Sequence, residues 1–273
     1  MADAVPVYEV YAVKYAEHAR TASANFIGGD GHDGPMPMDY FVWVLKGPDA
    51  QWVVDTGFNQ SAADARGRRL LHNPAEAIGL VGLRAEQVRN VIITHLHYDH
   101  AGNCDLFGAA TFHLQDREMQ YATGRYMAHR CMHEAYSVFD VIGMVQNVYG
   151  GRVRFHDGDA ELAPGISVHL IGGHTLGLQV VRVHTARGWI VLASDASHYY
   201  RNMHEERPFP IVANVGEMVE GWHRLRQLAD SPEHIIPGHD PQVLVRFPPA
   251  TASLRGRVAR VDLDPINFES SSD

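Results

Sequence analysis

The chain has 273 residues, of which 45% are hydrophobic and 20% are charged, a balance typical of a globular protein with a sizeable core. Its formal net charge of −9 argues against a nucleic-acid partner, because binding a polyanion needs clustered Lys and Arg. The sequence shows no apolar run of about 20 residues and no signal peptide, and its two cysteines are too few for a disulfide framework, so we expect a cytoplasmic protein with no membrane partner.

The first half of the chain predicts a β-hairpin followed by a helix and a strand. Two β-rich runs, residues 38–45 and 51–54, flank a turn rich in Gly, Pro and Asp. The preceding segment, residues 25–36, is rich in Gly and Asp and predicts a long loop. A helix is expected over residues 61–72, and a short strand over residues 88–94.

The second half predicts a helical segment and then mainly strands. Residues 115–148 have a helical pattern. Three further strands are expected, at residues 166–170, 178–183 and 189–193. A helix over residues 215–228 places Met218, Trp222 and Leu225 on one face, and residues 234–239 form a last short strand and turn. No repeat or linker divides the chain, so we predict one domain over residues 1–273, with a helical insertion at about 115–148.

Four ionisable residues follow the strand at 88–94 within six positions: His95, His97, Asp99 and His100. Side chains two apart in an extended segment point the same way, so His95 and His97 can bind one ion together. The turn that follows lets Asp99 and His100 face a second ion, and Gly102 lets the backbone pass close to the site. Imidazole and carboxylate groups suit Zn²⁺ and related ions. The segment therefore predicts a metal site.

Five short motifs, in chain order, resemble those of the metallo-β-lactamase superfamily. They are Asp55-Thr56-Gly57, the His-x-His-x-Asp-His segment at 95–100, Gly172-Gly173-His174-Thr175, Ser194-Asp195-Ala196 and Pro237-Gly238-His239. The resemblance implies an α/β fold, the αβ/βα four-layer sandwich of two mixed sheets with helices outside and metals at one edge. It also implies that Asp55 supports the site from behind.

The resemblance further implies a dinuclear site, with two groups of three ligands and one bridging carboxylate. These are His95, His97 and His174; Asp99, His100 and His239; and Asp195 between the two ions. We expect the ions to be Zn, with Mn, Fe or Co as alternatives. Two such ions about 3.5–4 Å apart lower the pKa of a bridging water toward about 7, so that hydroxide attacks a carbonyl carbon. Asp99 is placed to orient that nucleophile and to carry a proton to the leaving group.

Among the branches of the superfamily, the chain is most similar to the N-acyl-homoserine lactonases. Those enzymes carry a Tyr three positions after the bridging Asp, where this chain has His198 followed by Tyr199. Both residues are therefore candidates for assisting the substrate carbonyl. The resemblance implies a small-molecule lactone as substrate and is compatible with a homodimer. The alternatives are hydrolysis of another ester, of a thioester or of an aromatic catabolite on the same site, and, less favoured, a nuclease or a metal-binding protein without catalysis.

Overall fold

Thirteen strands form two mixed β-sheets in the computed structural model, which describes residues 4–266. In chain order they are β1 (Glu9–His18), β2 (Met38–Lys46), β3 (Gln51–Val54), β4 (Arg69–Leu70), β5 (Asn90–Ile92), β6 (Thr111–Gln115), β7 (Val153–His156), β8 (Ala160–Ala163), β9 (Ile166–Leu170), β10 (Gln179–Thr185), β11 (Gly188–Ser194), β12 (Ile235–Pro237) and β13 (Val258–Arg260).

The larger sheet has eight strands in the order β13-β1-β2-β3-β5-β6-β7, with β4 paired to β1. Strands from β13 to β3 pair antiparallel, whereas β3, β5, β6 and β7 run parallel to one another. The smaller sheet has the order β12-β11-β10-β9-β8, and only its β11–β12 pair is parallel. Both sheets are therefore mixed, as the resemblance implied.

Nine α-helices are found within residues 4–266: α1 (Gln60–Arg66), α2 (Pro74–Ala77), α3 (Tyr98–Ala101), α4 (Asp116–Ala122), α5 (Arg130–His133), α6 (Val138–Tyr149), α7 (Tyr200–His204), α8 (Val215–Leu228) and α9 (Gln242–Arg246). None of them combines the length and the apolar character that crossing a bilayer requires. Helix α8 has the predicted bounds, and its Met218, Trp222 and Leu225 are all buried.

The two faces of the larger sheet pack against different layers. On β2, Tyr40 and Val42 belong to an apolar cluster with residues of α1, α2, α4 and α6. The alternate residues Phe41 and Trp43 belong to the cluster that the smaller sheet and α8 share. A strand buried on both faces reads as a continuous apolar run, which is why the segment at 38–45 does not alternate with polar residues. The predicted sandwich of two mixed sheets with helices outside is confirmed.

Several predicted element boundaries were wrong. The helix predicted over 61–72 ends at Arg66, because Gly67 adopts a left-handed φ of 63° and its N–H caps the helix. The chain then forms β4, which pairs with β1. The strand predicted over 88–94 is only β5, and β1 itself was not predicted as a strand.

The helical segment predicted over 115–148 is present but interrupted. Gln115 ends β6, and α4, α5 and α6 follow as separate helices. Helix α4 stops at Ala122, while Ser137 caps the start of α6 by accepting the Asp140 N–H. That residues 1–273 form one domain stays a prediction.

Candidate metal centre and substrate cavity

The predicted site residues all follow carboxyl ends of strands at one edge of the sandwich. Asp55 follows β3, and the segment at 95–100 follows the neighbouring parallel strand β5. His174 comes after β9, Asp195 directly after β11 and His239 soon after β12, which pairs parallel with β11. Carboxyl ends of parallel strands meet at the same edge, a usual place for a site in α/β folds. The structure therefore brings all seven predicted ligands together.

Three buried imidazoles form the first group of donors. His174 Nε2 lies 3.2 Å from His95 Nε2 and 2.9 Å from His97 Nδ1. Nitrogens bound to one tetrahedral zinc at about 2.0–2.1 Å stand about 3.3 Å apart. The three ring nitrogens thus converge as the ligands of a single ion do. This donor set fits the divalent metal ion that the resemblance implies.

The carboxylate of Asp195 lies between the two donor groups. Its Oδ2 is 3.2 Å from His174 Nε2, on the side of the first group. Its Oδ1 is 2.9 Å from His239 Nε2 and 3.4 Å from His100 Nε2. Asp195 Oδ1 and both of those nitrogens are buried without a hydrogen-bond partner in the described part of the chain. Buried polar atoms of this kind need a partner, and a cation between them would supply it.

Asp99 completes the second group at a longer range. Its Oδ2 lies 3.9 Å from the Nε2 atoms of both His100 and His239. Its carboxylate also lines the cavity described below, unlike the more enclosed His95. Asp99 therefore faces the space where a substrate would lie, as His97, His174, Asp195 and His239 also do.

Three of the ligand histidines bind a protein oxygen through their other ring nitrogen, which orients those rings. A metal-binding His usually makes such a bond with its other nitrogen, since this fixes the tautomer. The contacts are His100 Nδ1 to Asp55 Oδ2 at 2.7 Å, His174 Nδ1 to the Ile211 carbonyl at 2.6 Å, and His239 Nδ1 to the Asp39 carbonyl at 2.9 Å.

Asp55 supports the segment at 95–100 from behind, as the resemblance implied. Its Oδ1 accepts the Thr94 N–H at 2.8 Å, and its Oδ2 accepts the Thr94 hydroxyl at 2.9 Å as well as the His100 ring. Asp55 adopts an unfavourable φ of 63°, a strain that clusters at functional sites. Close packing here also explains Gly102, where a Cβ would come within 2.7 Å of the Gly57 carbonyl oxygen.

The charges of the cluster favour a cation at its centre. Burial opposes ionisation of Asp195, but the neighbouring His239 and His100 hold the pKa of its carboxyl well below the usual range. Burial is likewise outweighed at His100, where Asp195 and Asp55 raise the pKa well above its usual value. Burial and then His100 hold the pKa of His95 well below its usual value, leaving a neutral ring with a free lone pair.

Glu118, at the third position of α4, joins the two ligand loops and was not predicted from the sequence. Its Oε1 accepts the Leu96 N–H and the Tyr136 hydroxyl, both at 2.9 Å, and its Oε2 accepts the Thr175 hydroxyl at 2.6 Å. Leu96 separates His95 from His97, and Thr175 follows His174. Glu118 is fully buried, so one carboxylate connects both arms of the first donor group.

The structure separates the two candidate assisting residues. His198 lines the cavity, stacks on Phe209 at 3.5 Å between ring centroids, and places Nε2 3.0 Å from Asp195 Oδ2. Together with His174 and Asp195, His198 also forms a group of three side chains that could hold a metal ion. Tyr199 does not line this cavity: its hydroxyl accepts from Asn25 Nδ2 at 3.1 Å and lies near the carbonyls of residues 36 and 37.

A cavity of about 380 Å³ opens beside the donor cluster. This volume is in the range of small-molecule sites. Met38, Tyr121 and Met132 form part of its apolar lining. Sequence reasoning missed the cationic part of the wall, which consists of Arg20, Arg66 and Arg68.

Comparison with known proteins identifies the family. The sequence profile of the metallo-beta-lactamase superfamily matches residues 36–248, a span that contains every ligand candidate. The chain belongs to the metallo-β-lactamase superfamily. Family membership and the converging His/Asp cluster together make it a metal-dependent hydrolase.

Characterised relatives are similar over most of the chain. An N-acyl homoserine lactonase of Bacillus cereus is 27% identical over 189 residues, which cover 64% of this chain and 70% of that one. The N-acyl homoserine lactonase AttM of Rhizobium johnstonii is 26% identical over 244 residues, covering 80% and 88% respectively. A solved quorum-quenching N-acyl homoserine lactone lactonase superposes with a TM-score of 0.71 at 22% identity, covering 86% of this chain and 92% of its own.

Proposed function

We propose that this protein is a dinuclear metal-dependent lactonase. The observation that carries the proposal is Asp195, whose two oxygens face two separate groups of donors. One carboxylate in that position can bridge two ions. The lactone follows from the relatives, since the two characterised relatives named above are both N-acyl homoserine lactonases. We further propose zinc as the metal, because imidazole and carboxylate donors suit it.

The seven residues have assigned roles in the proposed site. One ion would be held by His95, His97 and His174 and the other by Asp99, His100 and His239, with Asp195 shared. When bound, two divalent ions supply a water of lowered pKa and polarise the ester carbonyl.

The chain's own groups would then position and protonate the substrate. The Asp99 carboxylate borders the cavity, so it can hold a proton and pass it to the alkoxide that leaves when the ring opens. The buried His198 ring is held flat against Phe209, and we propose that it donates a hydrogen bond to the carbonyl or to the leaving oxygen. Tyr199 instead has a structural role, because its hydroxyl is bound to Asn25.

The test is hydrolysis by the metal-loaded protein of a matched panel: γ- and δ-lactones, N-acyl homoserine lactones, a glutathione thioester, a β-lactam and a phosphodiester. The Asp195→Ala variant, purified in parallel, controls for contaminating hydrolases. We expect turnover of lactones that Asp195→Ala lacks. Turnover of the thioester or the phosphodiester alone would overturn the lactonase proposal and favour the corresponding alternative on the same site.

A further inference from the structure

The cationic wall of the cavity contrasts with the rest of this acidic chain. Arg20, Arg66 and Arg68 all border the space beside the donor cluster, although the net charge is −9. Within residues 4–266 none of the three is ion-paired with a carboxylate; their partners are backbone carbonyls, a thioether, an imidazole and a phenol. Guanidinium groups left without an acidic partner in a cavity are suited to bind an anion there.

The pairing of β4 with β1 places Arg68 beside the end of β1. Arg68 Nη1 lies 3.1 Å from His18 Nε2, and its Nε donates to the Tyr98 hydroxyl at 3.2 Å. Burial, followed by Arg68 and Arg20, lowers the pKa of His18 to about 4, so this ring is neutral and accepts a hydrogen bond. Arg68 Nη2 has no hydrogen-bond partner in the described residues and remains available to a ligand.

The three arginines do not have equal freedom. Arg66 is engaged, because it stacks on Tyr98 at 3.9 Å and donates to the carbonyls of Glu134 and Tyr136. Arg20 donates to the Ala24 carbonyl and contacts a sulfur of Met38, leaving its Nε without a partner among residues 4–266. Three acidic residues also line the cavity, namely Asp99, Asp195 and the exposed Glu134. Among residues 4–266, none of their carboxylates forms an ion pair with Arg20, Arg66 or Arg68; Arg66 contacts only the backbone carbonyl of Glu134.

The position of Arg68 also connects it to the reacting end of the cavity. Tyr98, which receives the Arg68 hydrogen bond, lies between the ligand candidates His97 and Asp99 in sequence. Its hydroxyl is 3.5 Å from that of Tyr40, whose ring packs on His239 at 5.0 Å between centroids. A small substrate lying on the ions can therefore extend one substituent toward the arginines.

We infer that the lactone opened by this site carries a carboxylate, which Arg20 and Arg68 bind. The inference rests on the proposed lactonase function and narrows its substrate class, since an N-acyl homoserine lactone is neutral. Carboxylates match the planar fork of a guanidinium, whereas a neutral acyl chain would leave both cations in the cavity without a counter-charge.

The experiment compares 5-oxotetrahydrofuran-2-carboxylate with its carboxamide, which has the same size and no charge. We expect the wild type to favour the carboxylate by about tenfold or more in kcat/KM, the effect of one charge-assisted hydrogen bond. Arg68→Gln and Arg20→Gln should each reduce that preference about tenfold, mainly through KM. Arg69→Gln is the matched control, because Arg69 is 73% exposed, pairs with Glu17 and does not line the cavity.

Binding gives a readout that does not depend on turnover. Calorimetry should show glutarate binding to the metal-loaded wild type more tightly than its monoamide, a difference that Arg68→Gln reduces and Arg69→Gln keeps. The inference is overturned if the wild type binds and hydrolyses charged and neutral ligands equally well. It is also overturned if Arg20→Gln and Arg68→Gln both keep the wild-type preference for the charged ligand. If the Arg68→Gln protein has a clearly lower melting temperature than the wild type, the result for Arg20→Gln decides whether the inference holds. If the protein hydrolyses neutral and charged lactones equally well, only the inferred carboxylate specificity is refuted. If it binds glutarate tightly but hydrolyses no lactone, only the proposed lactonase function is refuted.

Discussion

Replacing Glu118 by alanine tests whether one buried carboxylate positions both ligand loops. The change removes the acceptor of the Leu96 N–H and of two hydroxyls. The hydroxyls of Tyr136 and Thr175 can rotate toward other partners, but the backbone amide cannot. A buried N–H without an acceptor costs about 1–3 kcal/mol, so the free energy of unfolding of the metal-free protein should fall by about that amount.

The larger effect should appear in metal affinity. Leu96 adjoins His95 and His97, and Thr175 adjoins His174, so losing Glu118 frees both loops. Groups that orient metal ligands in this way typically change affinity about 10–100-fold. Urea unfolding of the apoprotein and competition with a chromogenic chelator measure the two effects separately.

Two controls decide how the Glu118 result is read. Glu118→Gln keeps one acceptor oxygen for the Leu96 amide and should retain most of the affinity. Glu161→Ala removes an exposed glutamate and should change neither quantity. The positioning role is wrong if Glu118→Ala unfolds more easily yet binds zinc with wild-type affinity.

Four further substitutions test other parts of the structure. Asp195→Ala should lower both the bound metal, measured by atomic emission, and the rate by about 10²-fold or more, because both donor groups lose their shared carboxylate. His198→Phe should lower kcat about 10²-fold, as loss of one donor to the reacting oxygen does, at unchanged metal content; Tyr199→Phe should leave kcat unchanged and lower the melting temperature, and equal kcat values in both variants would contradict these assignments. Burial and then His156 lower the pKa of His113 to about 4. Between about pH 6.5 and 4 the folded state therefore binds fewer protons than the unfolded state, and the free energy of unfolding decreases as the pH is lowered through that window. His113→Gln should lose about 1–3 kcal/mol less than the wild type between pH 7 and 4.5 in urea titrations, and parallel pH dependences would refute this.

The parts of the fold that could be predicted are those encoded locally. Helix α8 was predicted at its observed bounds because its apolar face repeats at helical spacing. In the structure Asn214 caps its start by accepting the Glu217 N–H. The ligand candidates were predictable because clustered ionisable residues at the end of an apolar strand have few other uses. Each motif also sits where its strand ends, and the parallel pairs β3–β5 and β11–β12 place four of the five motifs at the same edge of their sheets.

Glu118 could not be predicted, because its burial depends on distant segments. In the sequence it follows Asp116 and Arg117 at the start of a helix, a pattern typical of a solvated first turn. Its partners Leu96 and Thr175 are 22 and 57 residues away. Nothing local distinguishes such a glutamate from an exposed one, since only the tertiary fold supplies its three donors.

The error over residues 61–72 had a consequence for function as well as for fold. A helix through residue 72 would leave no β4 to pair with β1. The chain instead leaves the helix at Gly67, and the backbone of β4 then pairs with that of β1, which sets Arg68 beside His18. The position of Arg68 in the cationic wall thus depends on a two-residue strand. The ligand candidates could be read from motifs, whereas the inferred charge of the substrate rests on this non-local pairing, and so the sequence indicated the proposed reaction before it indicated the proposed substrate class.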